Sequence, residues 1–194
     1  LPMRPGMTVL DVCAGRGGKS AALATRLEGA GTLHAVDLFP EKLTRLREEL
    51  SRLGLDEGVA VETFAVDLTR GDGELAPRAP ASGYDLVLVD APCSGLGTLG
   101  HRPDVLLRLR DDDAWRALTA TQSAILARAA GRVAPGGALV YAVCTLTRDE
   151  GPDVAAAFEA AHPDFAREAS AMWLPHRDGT DGFVVRRWRR RHPG

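Results

Sequence analysis

Thr8-Val9-Leu10-Asp11-Val12-Cys13-Ala14-Gly15-Arg16-Gly17-Gly18-Lys19-Ser20 decides how this chain folds. Thr8–Val12 is a short apolar run, the length of a buried strand. It runs into a loop with three glycines in four positions, Gly15-Arg16-Gly17-Gly18. Glycine lets a backbone turn sharply and lets a ligand approach it closely. Lys19–Leu27 then reads as a helix. Strand, glycine loop and helix together open a parallel α/β sheet.

The same alternation continues outward from this unit. Thr32–Val36 is a second strand and ends at Asp37. Pro40, at a first-turn position, opens a helix to about Leu53. Leu43, Leu46, Leu50 and Leu53 give that helix one apolar stripe. Val59–Val66 is a third strand, and Gly71–Gly83 is a loop. Tyr84–Val89 is a fourth strand, followed by a polar, glycine-rich segment to Arg110. Asp111, Asp112 and Asp113 supply cap and dipole-matching charge for a helix from Ala114 to about Val133. Leu118, Gln122, Ile125, Leu126, Ala129 and Val133 share one face of it. Pro135-Gly136-Gly137 makes a tight turn into a fifth strand, Ala138–Val143. Pro152–Ala161 is another helix. Weaker strands lie around Phe165–Ala169 and Gly182–Trp188, with turn signals at Asp178-Gly179 and Asp181-Gly182. The run Arg186–Arg191 is a basic, solvated tail able to make a few phosphate contacts. Strands alternating with helices imply a parallel sheet with right-handed crossovers.

A chain of 194 residues suffices for one domain with a sizeable core. No apolar run reaches the roughly 18 residues of a membrane span. The three cysteines, Cys13, Cys93 and Cys144, form no C-x-x-C pair. That argues against a disulfide framework, structural zinc or any other metal site, and favours a reducing cytoplasm. A formal net charge of −2 is not that of a stand-alone nucleic-acid binder. A long RNA partner would need a local basic patch or another domain. Leu1–Gly6 has neither an initiator Met nor an apolar stretch. The expectation is a monomeric catalytic domain, residues 1–194, cut from the C-terminal part of a longer protein whose upstream region binds RNA.

Acids recur at the ends of the first four strands: Asp11, Asp37, Asp67 and Asp90. In open α/β sheets, ligands bind in the crevice beyond the carboxyl ends of the strands. Asp37 there can accept both ribose hydroxyls of a nucleoside cofactor, and Asp67 can receive an adenine amino group. A loop or cap role stays open for each acid taken alone, but four carboxylates at one edge have no obvious structural purpose. The glycine spacing is not the dinucleotide fingerprint G-x-G-x-x-G. An amino-acid carboxylate at the helix N-terminus would suit the loop as well as a phosphate.

Two thiols arrive at the same edge. Cys93 follows the fourth strand in Asp90-Ala91-Pro92-Cys93-Ser94-Gly95, and Cys144 follows the fifth in Tyr141-Ala142-Val143-Cys144-Thr145. A buried cysteine is often core filler. That reading stays open for Cys144 taken alone, fits the polar surroundings of Cys93 poorly, and suits the Cys13 thiol well. Two thiols at a ligand crevice otherwise point to covalent chemistry on an electrophilic ring carbon, of which methylation of carbon 5 of cytosine is one case.

Together these stretches resemble the RNA cytosine-5 methyltransferase family, the Sun-like and nucleolar-protein-like enzymes that use S-adenosylmethionine. Asp11 to Ser20 resembles D-x-C-A-A-P-G-G-K-T, and Asp90 to Gly95 matches D-A-P-C-S-G. Arg102-Pro103-Asp104 resembles R-x-P-D, and Tyr141 to Thr145 resembles Y-S-T-C-S. Leu174-Pro175-His176 and Asp181-Gly182-Phe183 resemble the closing L-P-H and D-G-F-F. The departures are Gly15-Arg16 for Ala-Pro, Ala142-Val143 for Ser-Thr, and Thr145 for Ser. The loss of a hydroxyl beside Cys144 could lower activity.

The resemblance implies a Rossmann-like class I methyltransferase: a mainly parallel seven-stranded sheet, helices on both faces, and an antiparallel C-terminal hairpin at one edge. It implies that Cys144 attacks, Cys93 assists release, Asp90 donates to the ring if protonated, and Lys19 positions base or cofactor. It assigns S-adenosylmethionine to Cys13, Ala14, Gly15, Arg16, Gly17, Gly18, Lys19, Asp37, Asp67 and Asp90. The implied partner is RNA, small-subunit ribosomal RNA first and transfer RNA second. Two rival readings are a catalytically weakened assembly factor that binds S-adenosylmethionine and RNA, and a DNA cytosine methyltransferase attacking through Cys93. A nicotinamide dehydrogenase is disfavoured by the glycine spacing.

Overall fold

Alternate residues of the central strands enter two separate apolar layers, and that alternation builds the molecule. A computed structural model describes residues 1–108 and 112–194, with side chains at all of these except 108 and 112–114. Its strands are β1 (Thr8–Asp11), β2 (Gly31–Asp37), β3 (Val59–Ala65), β4 (Tyr84–Asp90), β5 (Val133–Val143), β6 (Phe165–Trp173) and β7 (Phe183–Arg190). They form one sheet in the order β3-β2-β1-β4-β5-β7-β6. Pairings among β1 to β5 are parallel, whereas β7 runs antiparallel to both β5 and β6. The sheet is the expected one: seven strands, mainly parallel, with an antiparallel C-terminal pair at one edge.

The helices are α1 (Gly18–Arg26), α2 (Pro40–Arg52), α3 (Val105–Arg108), α4 (Asp112–Ala130), α5 (Val154–Ala161) and α6 (Pro175–Asp178). Val9, Leu33, Leu86, Leu88 and Val140 pack on one face against Leu23, Leu27, Leu43, Leu46 and Leu50 of the α1–α2 region. Leu10, Val87, Val89, Leu139 and Tyr141 pack on the other against Ile125, Leu126 and Phe158 of α4 and α5. The period of two in the strands thus meets the period near 3.6 in the helices. The strand order reverses direction between β2 and β4, which flank β1, and a crevice opens at such a switch point. Among the described residues, no helix is long and apolar enough to cross a membrane.

Several expectations need correction. Val133 does not end α4 but starts β5, pairing with Tyr84. Pro135-Gly136-Gly137 is therefore an irregularity within β5, with a register shift opposite Tyr84 and Leu86. A Cβ on Gly137 would stand 2.8 Å from the Tyr84 carbonyl, so the backbones meet too closely for a side chain. Leu53 caps α2 and is exposed, so the apolar stripe stops at Leu50. The helix expected from Pro152 begins with a π-turn, Asp149–Asp153, before α5 proper. Asp111, and the side chains of Asp112 and Asp113 expected to cap α4, lie outside the described residues.

The strand expected around Gly182–Trp188 is present as β7 and runs on to Arg190, so the arginine run, read also as a basic tail, is held between β5 and β6. Trp188 is wholly buried there, donates from Nε1 to Glu159 Oε1 at 2.8 Å, and stacks at a tilt on Phe158. Arg187 and Arg189 both pair with Glu168, and Arg190 with Asp164. Alternation puts Val184, Arg186 and Trp188 on the inner face, and acids of neighbouring segments answer the outward charges.

Candidate active site

β1 delivers Asp11 and then the glycine loop to the carboxyl edge. The Ala14 N–H donates to Val36 O at 2.9 Å, which fastens the loop across the end of β2. Gly15 and Gly17 both take positive φ, 56° and 95°. Gly17 is also packed: a Cβ there would lie 2.9 Å from Leu46 Cγ of α2. Gly15 instead faces open space. Asp37, at the end of β2, accepts the Gly15 N–H on Oδ2 at 2.9 Å and the Phe39 N–H on Oδ1 at 3.0 Å. Its carboxylate thus sets the loop that it borders.

A cleft of about 270 Å³ opens beside this loop. Cys13, Gly15, Asp37, Asp67 and Asp90 all line it, between apolar walls that include Phe39, Val66 and Ile125. Asp67 accepts Thr69 N–H and O–H on Oδ1, at 3.0 and 2.6 Å, and the Thr69 hydroxyl holds its acidity above that of a free side chain. Burial keeps the Cys13 thiol protonated, and its sulfur also packs against the core. The sheet edge therefore collects five of the expected cofactor residues around one cleft. Ala14, Arg16, Gly17, Gly18 and Lys19 do not line it. Ala14 and Gly17 are buried beneath the loop, while Gly18 and Arg16 are exposed. Asp11 lies deeper still, wholly buried, with Ser20 Oγ donating to its Oδ2 at 2.8 Å and its Oδ1 unpartnered. Burial pushes the pKa of Asp11 up to about 7.

Beyond this cleft, the β4 and β5 ends bring the two thiols together. Cys93 Sγ and Cys144 Sγ are 3.2 Å apart, although 51 positions separate them in sequence. The strand pairing continues past Asp90, with Ala91 N–H donating to Ala142 O at 3.0 Å. The pair is asymmetric. Contact with Cys144, together with burial, holds Cys93 far above the ordinary thiol range. Cys144 is shifted the other way, because Cys93 can donate to its sulfur, and this outweighs burial and the Asp90 charge. Lys19 Nζ sits 2.6 Å from Asp90 Oδ2 and 5.2 Å from the centre of the Phe183 ring. Burial raises the proton affinity of Asp90, and the Lys19 ammonium opposes that rise. The four expected catalytic residues thus form two contacting pairs, Cys93 with Cys144 and Lys19 with Asp90, close enough for the charges of the second to act on Cys144.

A family model described as 16S rRNA methyltransferase RsmB/F matches residues 1–187. The chain belongs to the RsmB/F family. It is 36% identical over 195 residues to a Bacillus subtilis protein named probable ribosomal RNA small subunit methyltransferase B, covering 92% of this chain and 42% of the relative. It is 37% identical over 202 residues to ribosomal RNA small subunit methyltransferase B of Thermus thermophilus, covering 98% of this chain and 46% of the relative. Among solved structures, NSun6 from Pyrococcus horikoshii with SFG superposes with a TM-score of 0.78 at 26% identity, over 95% of this chain and 48% of that one. The chain therefore spans less than half the length of these relatives.

Within this RsmB/F-family domain, the departures beside Cys144 fall away from the thiols. Val143 is wholly buried in the core layer, so no hydroxyl is missing from the site there. Thr145 keeps one: its Oγ1 lies 3.0 Å from Ser94 Oγ, to which its hydroxyl can donate, and 3.3 Å from Thr147 Oγ1. Sequence reading missed Glu150, which is wholly buried. Its Oε1 accepts Ser94 N–H at 2.7 Å and Gln122 Nε2 at 2.9 Å. Its Oε2 accepts Ser94 Oγ at 2.5 Å and Thr147 Oγ1 at 3.1 Å. The one available signal was an acid six positions after Cys144, too common a feature to single out.

Proposed function

We propose that this domain binds S-adenosylmethionine and methylates carbon 5 of a cytosine in small-subunit ribosomal RNA through a covalent bond to Cys144. The observation that carries this reading is the Cys93–Cys144 contact at 3.2 Å, with the more acidic thiol on the β5 side. Carbon 5 of cytosine is a poor nucleophile until something adds to carbon 6. A thiolate is a soft, strong nucleophile suited to that addition.

In this reading the Cys144 sulfur bonds to carbon 6, and its electron pair makes carbon 5 nucleophilic. Asp90, with Lys19 beside it, holds a proton or hydrogen bond at ring nitrogen 3, where negative charge builds. S-adenosylmethionine supplies the electrophilic methyl group that carbon 5 takes. Loss of the carbon 5 proton then expels the Cys144 thiolate and restores the aromatic ring. Cys93 assists that release, with its proton available to the departing sulfur. The target base has to leave its stack to reach the thiols.

The cleft fits the cofactor by its donor set. Asp37 faces the ribose hydroxyls, Asp67 the adenine amino group, and the Gly15 backbone the amino-acid end. Asp37 already accepts from Gly15 and Phe39, but a carboxylate has about four acceptor sites, which leaves room for a ribose. The apolar walls at Phe39 and Ile125 suit a flat base.

Relatives named for small-subunit ribosomal RNA favour that RNA over transfer RNA. The weakened-factor reading keeps only Ala142, which pairs with Asp90, because Val143 lies in the core and not at the thiols. The DNA-type reading needs Cys93 as nucleophile, and replacing each cysteine in turn distinguishes the two. The chain covers less than half of the relatives' length, so the test uses the longest available form of the protein. The test incubates the full-length protein with small-subunit RNA and methyl-labelled S-adenosylmethionine, then digests the RNA to nucleosides. Label in 5-methylcytidine supports the reading. Label only in another nucleoside, or in transfer RNA alone, overturns it.

A further inference from the structure

Glu150 is a buried carboxylate answered by no cation among its described partners. The groups that meet it are the Ser94 N–H, the Ser94 and Thr147 hydroxyls, and the Gln122 amide. Four donors on one carboxylate satisfy it, and none of them is a cation that would neutralise a charge there. Burying such a charge is costly unless it is well hydrogen-bonded, and a core built only for stability would avoid it.

Its partners come from three places. Ser94 is the chain neighbour of Cys93, beyond β4. Thr147 follows Cys144 and Thr145, beyond β5. Gln122 belongs to α4, and its Nε2 also donates to Pro92 O at 2.9 Å, just before Cys93. Tyr141 of β5 closes the network, with its hydroxyl donating to the Glu150 carbonyl at 2.6 Å. One side chain thus ties together both thiol-bearing loops. Its charge sits on the Ser94 side, next to Cys93, whereas Lys19 is the cation acting on Cys144.

We propose that Glu150 is a positioning residue that clamps the Cys93 and Cys144 loops in contact and, by its fixed charge beside Cys93, keeps the shared proton on Cys93, leaving Cys144 as the thiolate. This rests on the reading of Cys144 as the nucleophile. A negative charge disfavours a second one close by. Glu150 acts on Cys93 in this sense, as does the Cys144 sulfur itself. The titratable groups facing the pair are Lys19 of α1, Asp90 of β4, Tyr141 of β5, Glu150 and the protonated Cys13. Lys19 favours the Cys144 thiolate, but Asp90 beside it opposes this more strongly, so the contact with Cys93 is what sets the direction at Cys144.

The test needs no RNA. The 194-residue chain is alkylated with iodoacetamide across a pH series, and the modified cysteine is found by peptide mass mapping. In the parent chain, Cys144 should react first. Glu150→Gln keeps the shape, because the Ser94 and Thr147 hydroxyls can accept as well as donate, but it removes the charge. It should move the pH midpoint of Cys144 alkylation upward, slow the reaction at neutral pH about tenfold, and let Cys93 compete. Ser94→Ala, which removes one contact and leaves the carboxylate, should shift the profile in the same direction by less, and it serves if Glu150→Gln does not fold. An unchanged pH profile and unchanged Cys144 selectivity in both variants would reduce Glu150 to a structural role and overturn the proposal. Selective alkylation of Cys93 in the parent chain would instead overturn the nucleophile assignment on which the proposal stands.

Discussion

Gly97 and Gly182 meet backbone to backbone. The Gly182 N–H donates to Gly97 O at 2.8 Å, and a Cβ on Gly97 would stand 2.1 Å from Gly182 O. Gly97 N–H in turn donates to the Cys144 carbonyl at 3.0 Å. The loop after Cys93 is therefore fastened both to the end of β5 and to Asp181-Gly182-Phe183, whose Phe183 lies under Lys19.

Gly97→Ala should push these segments apart and separate the thiols. Overpacking of this kind costs about 1–3 kcal/mol. A Cβ on Gly100 would meet nothing within 4 Å, so Gly100→Ala is the matched control and should be near neutral. Urea denaturation of the two variants checks the difference. Equal stability would mean that the Gly97 contact yields easily.

Asp11 makes stability depend on pH. Its folded pKa, about 7, lies above its ordinary value of 3.8. The folded state thus holds a proton that the unfolded chain releases between those values. The stabilisation from Asp11 is complete below about pH 4 and is lost as pH rises through about 7. Asp11→Asn keeps an acceptor for Ser20 and removes the titration. It should be more stable than the parent at pH 8, by at most about 4 kcal/mol, with the gap closing toward pH 5. Chemical denaturation at both pH values measures this, and a gap that widens on acidification would refute the assignment.

Local pattern carried most of the fold. The apolar runs at Leu86–Val89 and Leu139–Val143 read as strands because both faces are buried, and the stripe Leu43, Leu46, Leu50 placed α2 correctly. The errors have physical causes. Charge hid the end of β7 beyond Trp188, since Arg187 and Arg189 find Glu168 only once β6 lies beside them. Pro135-Gly136-Gly137 looked like a turn because the Tyr84 backbone that it accommodates is remote in sequence. The thiols and strand-end acids were legible because each ends a recognisable strand. Glu150 was not, because its role depends on Ser94, Gln122 and Thr147 converging from separate segments.

The arginine run gives a prediction about both folding and binding. As a core element of β7, Trp188 should cost about 3–5 kcal/mol when replaced by Ala, whereas a solvated tail would tolerate the change. Thermal melting of Trp188→Ala distinguishes the two. With Arg187, Arg189 and Arg190 already paired to Glu168 and Asp164, little positive charge is left for phosphates on a chain of net charge −2. Filter binding of ribosomal RNA to the isolated chain should be weak. Tight, strongly salt-dependent binding would show that this chain carries its own RNA affinity.

The two thiols should fail in different ways. Addition to carbon 6 and elimination from it are separate steps, and they need different help from the protein. Cys144→Ala removes the sulfur that bonds to the ring, so it should form no adduct and transfer no methyl group. Cys93→Ala leaves Cys144 without the donor that lies 3.2 Å away, but Lys19 still acts on it. Attack and methylation should proceed in this variant, and release should stall. Full-length protein with Cys93→Ala, incubated with RNA and S-adenosylmethionine, should therefore run as a shifted protein–RNA band on a denaturing gel. The Cys144→Ala lane should show free protein only. The reverse pattern, with a band for Cys144→Ala alone, would make Cys93 the nucleophile and favour the DNA-type mechanism. Full turnover by both variants would make the sulfur contact a packing feature and remove the observation on which the proposed chemistry stands.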